Sequence, residues 1–370
     1  MRAVAPWAMT HFASVLRRLR KALQRCFGPM TRLPTAALAA FAAFFLASPA
    51  ALAWGSSGHR IIGRVAVGAL PADLPAFIRS KEAIAKVGEL SREPDRWKGA
   101  GKTHDADLSP AHYVDVDDRA RVLGGPALTD LPDTRGAYER DLRRVGADGW
   151  RAGYLPYSIV ETWQQLAFDF AYWRADAAGA RMDPDPAHRS WLAADEAERE
   201  ALTLRDLGVL SHYVGDGSQP LHVTWHFNGW GPHPNPEGFT NDPIHIPFEG
   251  PFVRSFVTPQ MVEARLSPYR ADPRPILKRV EAYLLATNRE VVPLYRLWKA
   301  GGFAPGDPKA DLRGEAFAAD RLADGASELR DLVVDAWKKS EDDEVGWPAV
   351  PVKAIEAGKI DPYDSLYGTD

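Results

Sequence analysis

His212 and Asp216 stand four residues apart in EALTLRDLGVLSHYVGD, a run whose spacing predicts a helix from Glu200 onward, so both side chains leave one face a single turn apart. Gly217 and Pro220 are expected to stop that helix, and His222 follows within reach of the same space. A second pair, His245 and Glu249, repeats the four-residue spacing in His245-Ile-Pro-Phe-Glu249. An imidazole and a carboxylate from one helical turn can bind one hard or borderline cation at about 2.1 Å. The chemistry these residue types suggest first is metal binding.

Further donors lie upstream. His59 follows Trp54-Gly-Ser-Ser-Gly and opens the amphipathic run HRIIGRVAVGAL; Asp95 follows Pro94, which breaks regularity and projects it from a loop or helix start. His112-Tyr-Val-Asp115 fits a short ordered segment entering the core. Residues 34–53 form an apolar run preceded by arginine and ending in Ala51-Leu52-Ala53, the pattern of a cleaved secretory signal. A membrane anchor is the competing reading, opposed by the shortness of the run, its alanine content and the cleavage pattern. Met30 is the expected start, since it gives a signal of normal length. Cleavage after Ala53 would free the α-amine of Trp54, with a pKa near about 7.7, to act as a ligand. A lone buried histidine is usually structural and chance H-x3-D pairs are frequent. The full ordered set Trp54, His59, Asp95, His112, His212, Asp216, His222, His245 and Glu249 is far more specific.

Composition narrows the alternatives. Seven of the 45 basic residues and none of the 49 acidic ones precede Trp54, so the remaining chain has a formal charge of −11. That charge argues against a general basic surface for nucleic acid, and any phosphate chemistry must rest on metals and a few placed side chains. The one cysteine, Cys26, lies in the N-terminal extension, which leaves the mature chain no disulfide and no cysteine-based zinc site. Gly101-Lys-Thr103 looks like the end of a phosphate loop, but Arg96 stands where the first glycine is required. His104-Asp105 is expected in a Gly-rich loop, not on the helix that a His-Asp phosphohydrolase needs.

The elements that must carry these donors read as helices. They are expected at about 75–87, 136–145, from a Ser158 cap with Glu161 at capping-box distance, and at about 258–267, 273–299 and 314–340. Residues 180–195 read as a loop with a solvated His188. Residues 223–244, rich in Gly, Pro and Asn, read as a long functional loop with His226 and His233 outside the ligand set. No repeat and little β-pattern are found. The expected architecture is all-α: residues 1–53 as extension and signal, one mostly helical domain over 54–347 around the metal site, and a weakly ordered tail over 348–370.

The ordered pieces are Trp54 with G-x-x-G-His59, Asp95-Arg-Trp-Lys98, His112-Tyr-Val-Asp115, Gly153-Tyr-Leu-Pro-Tyr157, His212-x3-Asp216 with Gln219-Pro-Leu-His222, and His245-x3-Glu249. This order resembles the superfamily uniting zinc-dependent bacterial phospholipases C with single-strand-specific nucleases of the S-one/P-one type. The resemblance spans roughly residues 54–250.

What it implies is a helical fold with three zinc ions and no organic cofactor. One ion would take Asp95, His112, His212 and Asp216; a second His222, His245 and Glu249; a third the Trp54 amine and carbonyl, His59 and a bridging oxygen of Asp216. A water activated by zinc would attack phosphorus, with Asp95 orienting it. In the nuclease branch Tyr113 would stack a base and Asp115 would bond its edge, with Lys98 and Asn228 contacting phosphate or sugar. The expected activity is an exported, periplasmic or secreted nuclease releasing 5′-nucleotides from single-stranded DNA or RNA, with no stable protein partner and no membrane span in the mature chain. Glu249, where the nucleases usually carry Asp, keeps a phospholipase C as the alternative. A zinc-storage protein would need the same ligands but no open coordination position.

Overall fold

Gly55 leads into helix α1, Ser56–Gly68, whose inward face is Ile61, Ile62, Val65 and Ala66 with His59 among them. The computed structural model describes residues 54–303 and 313–368, so the signal segment and the Met30 start lie outside the described residues. The helix expected over 75–87 is divided by extended Ser80: a single turn, Ala76–Arg79, precedes α2, Lys81–Leu90, and the Ser80 hydroxyl caps α2 by accepting from the Ala83 N–H at 3.0 Å.

Two long helices form the frame. α3 spans Leu155–Met182 and α4 spans Pro186–Ser218. A three-residue turn joins them, so they run antiparallel and pack along their lengths. Both boundaries correct the sequence reading. α3 starts at Leu155, with Pro156 in the first turn, and Ser158 is already inside it, its hydroxyl donating to the Tyr154 carbonyl at 3.2 Å instead of capping. The loop expected over 180–195 is mostly helix, because Asp185 caps α4 through the Ala187 N–H at 2.8 Å.

Helices α5, Ile276–Asn288, and α6, Val291–Lys299, replace the single helix expected over 273–299. α7, Arg313–Ser340, packs across α1, α3 and α4, and the Trp163 indole donates to the Leu332 carbonyl at 2.9 Å to lock α7 on α3. Among the described residues the strand content is one antiparallel pair, β1 (Glu344–Val345) and β2 (Val350–Pro351). The fold is mostly helical, as expected.

The weakly ordered tail is a further correction. Residues from 350 onward form β2 and a helical turn, Val352–Glu356, whose Val352 and Ile355 are buried with Ala171, Ala175 and Ala178 of α3. Arg174 fixes the arrangement: it lies 3.4 Å over the Trp337 ring and reaches Glu356 at 2.8 Å. The helical domain therefore continues well past residue 347. No helix of the described residues is long and apolar enough to cross a membrane.

Candidate metal centre

The C-terminal turns of α4 hold His212 and Asp216, both fully buried, and helical spacing stacks them on one face as the sequence predicts. Ser218 ends the helix, and the turn Pro220–His222 carries His222 back toward it. His59 comes from α1 and reaches the site because Gly215 has no side chain; a Cβ there would lie 3.0 Å from His59 Nδ1. Asp95 sits in the short helix Glu93–Arg96, and His112 ends the turn Ser109–His112.

The segment after His112 is stitched down by the backbone. Val114 donates to the His222 carbonyl at 2.9 Å, Asp115 to Ala152 at 2.8 Å, and the Tyr113 carbonyl accepts from Leu155 at 3.1 Å. Gly153, at φ +82°, makes this possible, since any Cβ would collide with that same carbonyl oxygen.

Three histidines have their tautomers fixed by the fold. His212 Nδ1 donates to the Ser91 carbonyl at 2.8 Å, His222 Nδ1 to the His112 carbonyl at 2.6 Å, and His245 Nδ1 to the Phe227 carbonyl at 2.9 Å. A carbonyl has no proton to give, so each Nδ1 carries the hydrogen, and in the neutral ring the Nε2 lone pair turns inward. The Nε2 atoms of His222 and His245 face each other at 3.1 Å, and Glu249 Oε2 lies 2.9 Å from the second and 3.4 Å from the first. Such a triangle needs positive charge at its centre. Its edges are close to the roughly 3.4 Å between donors on a tetrahedral ion with bonds near 2.1 Å.

The neighbouring donors share Asp216. Its Oδ2 lies 3.1 Å from His112 Nδ1 and 3.4 Å from His212 Nε2, while its Oδ1 lies 3.4 Å from His59 Nε2. His212 Nε2 and His112 Nδ1 are 2.9 Å apart, and His59 stacks on His212 with ring centroids at 4.0 Å. Three groups therefore converge: His59, His212 and Asp216; Asp95, His112 and His212; and His222, His245 and Glu249, the donor atoms of each lying within 4.8 Å of one another. Both nitrogens of His59, Asp216 Oδ1 and Glu249 Oε1 are buried without a hydrogen-bond partner. Buried orphans of this kind are costly unless an ion takes them up.

Electrostatics agree with that assignment. Burial, followed by neighbouring imidazoles or Lys98, holds His59, His112 and His212 well below the usual imidazole range, so their lone pairs are free. Burial, then Asp95, drives the Asp216 carboxyl well above its usual range; a bound cation inverts that cost. At the third group, burial opposes charge on both partners, yet Glu249 raises His245 and His245 brings Glu249 down to about 2. A proton on His245 or a divalent ion can serve there, and the ion satisfies all three donors together.

Eight of the nine ligands expected from the sequence thus occupy the three groups. Trp54 is fully buried beside them: its indole donates to Ser218 Oγ at 2.8 Å and its ring meets Phe248 at 5.4 Å. The four residues expected to contact substrate differ more from one another. Tyr113 is half-buried and donates its hydroxyl to the Trp150 carbonyl; burial pushes the Asp115 carboxyl up to about 8, Arg151 opposing. Lys98 is held on Asp95 at 2.9 Å, and exposed Asn228 accepts from the His245 N–H at 3.3 Å.

Other readings are revised. His104 and Asp105 lie on a helix, Lys102–Leu108, and not in a loop, but none of that helix is buried. His226 is buried: its Nδ1 donates to the Trp230 carbonyl at 2.6 Å and its Nε2 lies 2.8 Å from both the Trp225 indole nitrogen and Asp118 Oδ1, which supports the 223–244 loop. Gln219 was not singled out by the sequence. Its amide donates to Glu249 Oε2 at 3.2 Å while its carbonyl accepts from Leu221 at 2.7 Å, so it orients Glu249. Gln219 is fully buried, which the sequence does not reveal. No protein-family model and no curated protein sequence matches the chain.

Proposed function

We propose that this chain is an exported zinc-dependent phosphodiesterase, holding three ions in the three donor groups and cleaving single-stranded nucleic acid to 5′-nucleotides. The observation that carries the reading is the pair of inward-facing Nε2 atoms at 3.1 Å, each fixed by a carbonyl on its far side and closed by Glu249. Protein groups are arranged this way to hold a cation, and donor sets of His, Asp and Glu suit zinc. When bound, the ions supply Lewis acidity and a nucleophile near neutral pH.

The rest falls to the chain. Asp95, partly exposed and held by Lys98, orients the attacking water and takes its proton. Lys98 keeps that carboxylate aimed and adds positive charge beside the diester. Tyr113, adjoining His112 and half-open to solvent, offers a face for a base, worth about 1–3 kcal/mol. Asp115, with its carboxyl pushed up to about 8, is protonated at neutral pH and can donate to a base edge as well as accept. Asn228 presents its free amide beside His245. The −11 charge of the mature chain favours local, placed contacts over a basic surface.

Glu249 favours a second reading, a phospholipase C acting on phospholipid headgroup esters. A parallel assay of the zinc-loaded chain on denatured DNA, RNA and phosphatidylcholine separates the two. Hydrolysis of the nucleic acids that stops with EDTA and returns with zinc is expected; turnover of phosphatidylcholine alone would replace the nuclease by the lipase. Turnover of neither at any pH would leave a zinc-storage protein. N-terminal sequencing of exported protein is expected to begin at Trp54, and a retained upstream segment would contradict the proposed role of its amine.

A further inference from the structure

Away from the central donors, the turn between α3 and α4 meets the C-terminal segment and brings a second mixed donor set together. Asp183, His188 and Asp361 each offer one donor atom, and these lie within 4.8 Å of one another. The Asp183 side chain is wholly buried, with Oδ2 3.2 Å from His188 Nδ1; Asp185 Oδ2 lies 3.8 Å from His188 Nε2. Tyr363 positions two of the ligands. Its ring stacks on His188 with centroids 3.5 Å apart, and its N–H donates to Asp361 Oδ1 at 2.9 Å.

Packing delivers Asp361 to this place independently of any ion. Pro362 sits against Gly179 of α3, and Trp191 of α4 meets the edges of Tyr363 and Tyr367. The charge is then unbalanced. Three carboxylates surround one imidazole, so the cluster stays negative whether or not the ring is protonated. The adjacent guanidinium, Arg189, points its Nη1 at the backbone carbonyls of Asp183 and Pro184, at 2.6 and 3.1 Å, instead of at a carboxylate.

We infer that Asp183, His188 and Asp361 form a peripheral site for a borderline divalent cation. One nitrogen with carboxylate oxygens suits Zn2+ or a similar ion better than Ca2+ or Mg2+, which take oxygen alone. An ion bound there clips residue 361 to the α3–α4 turn and closes a long loop of chain, which restricts the unfolded state and holds the C-terminal segment on the helix pair. This site does not depend on the proposed activity.

The test uses the full chain, stripped of metal and reloaded with Zn2+, comparing wild type with Asp361→Asn and His188→Ala. Zinc is counted by mass spectrometry, and amide exchange is followed over residues 358–367. Each variant is expected to hold one ion fewer, to exchange about tenfold faster in that segment with zinc present, and to hydrolyse single-stranded DNA at the wild-type rate. Asp361 is exposed, so its variant carries little risk to folding. His222→Ala, in contrast, is expected to lose a central ion and keep the zinc-dependent protection of 358–367. An unchanged ion count in both peripheral variants, or protection that follows His222 instead, would overturn the site.

Discussion

The two halves of α4 bury acid in opposite ways. At its C-terminal end Asp216 meets the imidazoles of His59, His112 and His212, and the Ser91 carbonyl aims the His212 lone pair at it. Nearer its N-terminus, Asp195 and Asp206 face Asp176 and Asp169 of α3 across the helix seam, with no imidazole between them. There burial, then the facing carboxylate, pushes both Asp169 and Asp176 up to about 8. Asp169 Oδ2 and both oxygens of Asp176 lack a geometrically sound hydrogen-bond partner, and Arg199 lies 3.6 Å from Asp195. Buried carboxylates therefore have two outcomes, set by what stands opposite. Imidazoles opposite the acid form a donor group that could hold a cation; a second carboxylate opposite it holds the buried acid's proton on to higher pH.

The three depressed histidines at the metal end and the seam carboxyls should answer pH with opposite sign. At the metal end the folded-state histidines lie below their unfolded value, so below about 6.5 the unfolded chain binds more protons and stability falls as pH drops. At the seam the folded carboxyls lie above theirs, so between about 4 and 8 the folded chain holds more protons and stability falls as pH rises.

The largest expected effect breaks the metal half. His222→Ala or His245→Ala removes a nitrogen from the triangle closed by Glu249, and hydrolysis is expected to fall by about 10³-fold or more with one ion lost; near-normal turnover would show that this group is not part of the active centre. Gln219→Ala sharpens the same half. Loss of the amide that orients Glu249 should weaken zinc at that group by roughly 10–100-fold in a competition titration while the chain stays folded. An unchanged affinity would make Gln219 a packing residue only.

Asp176→Asn tests the seam. The amide imitates the protonated acid, so the variant should be more stable than wild type at pH 8, by on the order of 1–2 kcal/mol, with a flatter stability profile between pH 4 and 8. Zinc content should not change. Denaturant melts across that range that coincide with wild type would show that Asp176 does not hold its proton in the folded chain.

Why one half was legible and the other was not follows from the same contrast. His212 with Asp216 and His245 with Glu249 stand out because four-residue spacing on a helix puts unlike donors on one face. The acids of the seam pair across two helices, between positions up to 37 residues apart, as Asp169 and Asp206 are, and look like solvated charges in the chain. Gln219 escaped for a similar reason: a buried amide has no sequence signature of its own. The C-terminal segment looks like a tail in sequence because its order comes from tertiary partners such as Arg174 and Trp337, not from local propensity. The Ser158 cap was a local motif overruled by Pro156 and the Gly153 turn, which start α3 one turn earlier.

The most direct measurement is anomalous diffraction at the zinc absorption edge from crystals of the zinc-loaded chain. Three strong peaks are expected among the central donors, apart from the one proposed at Asp183, His188 and Asp361, each at about 2.1 Å from its donors: one among His222, His245 and Glu249, one among Asp95, His112, His212 and Asp216, and one beside His59 and the other oxygen of Asp216. A chain that hydrolyses phosphodiesters yet shows no peak among these residues would contradict the assignment.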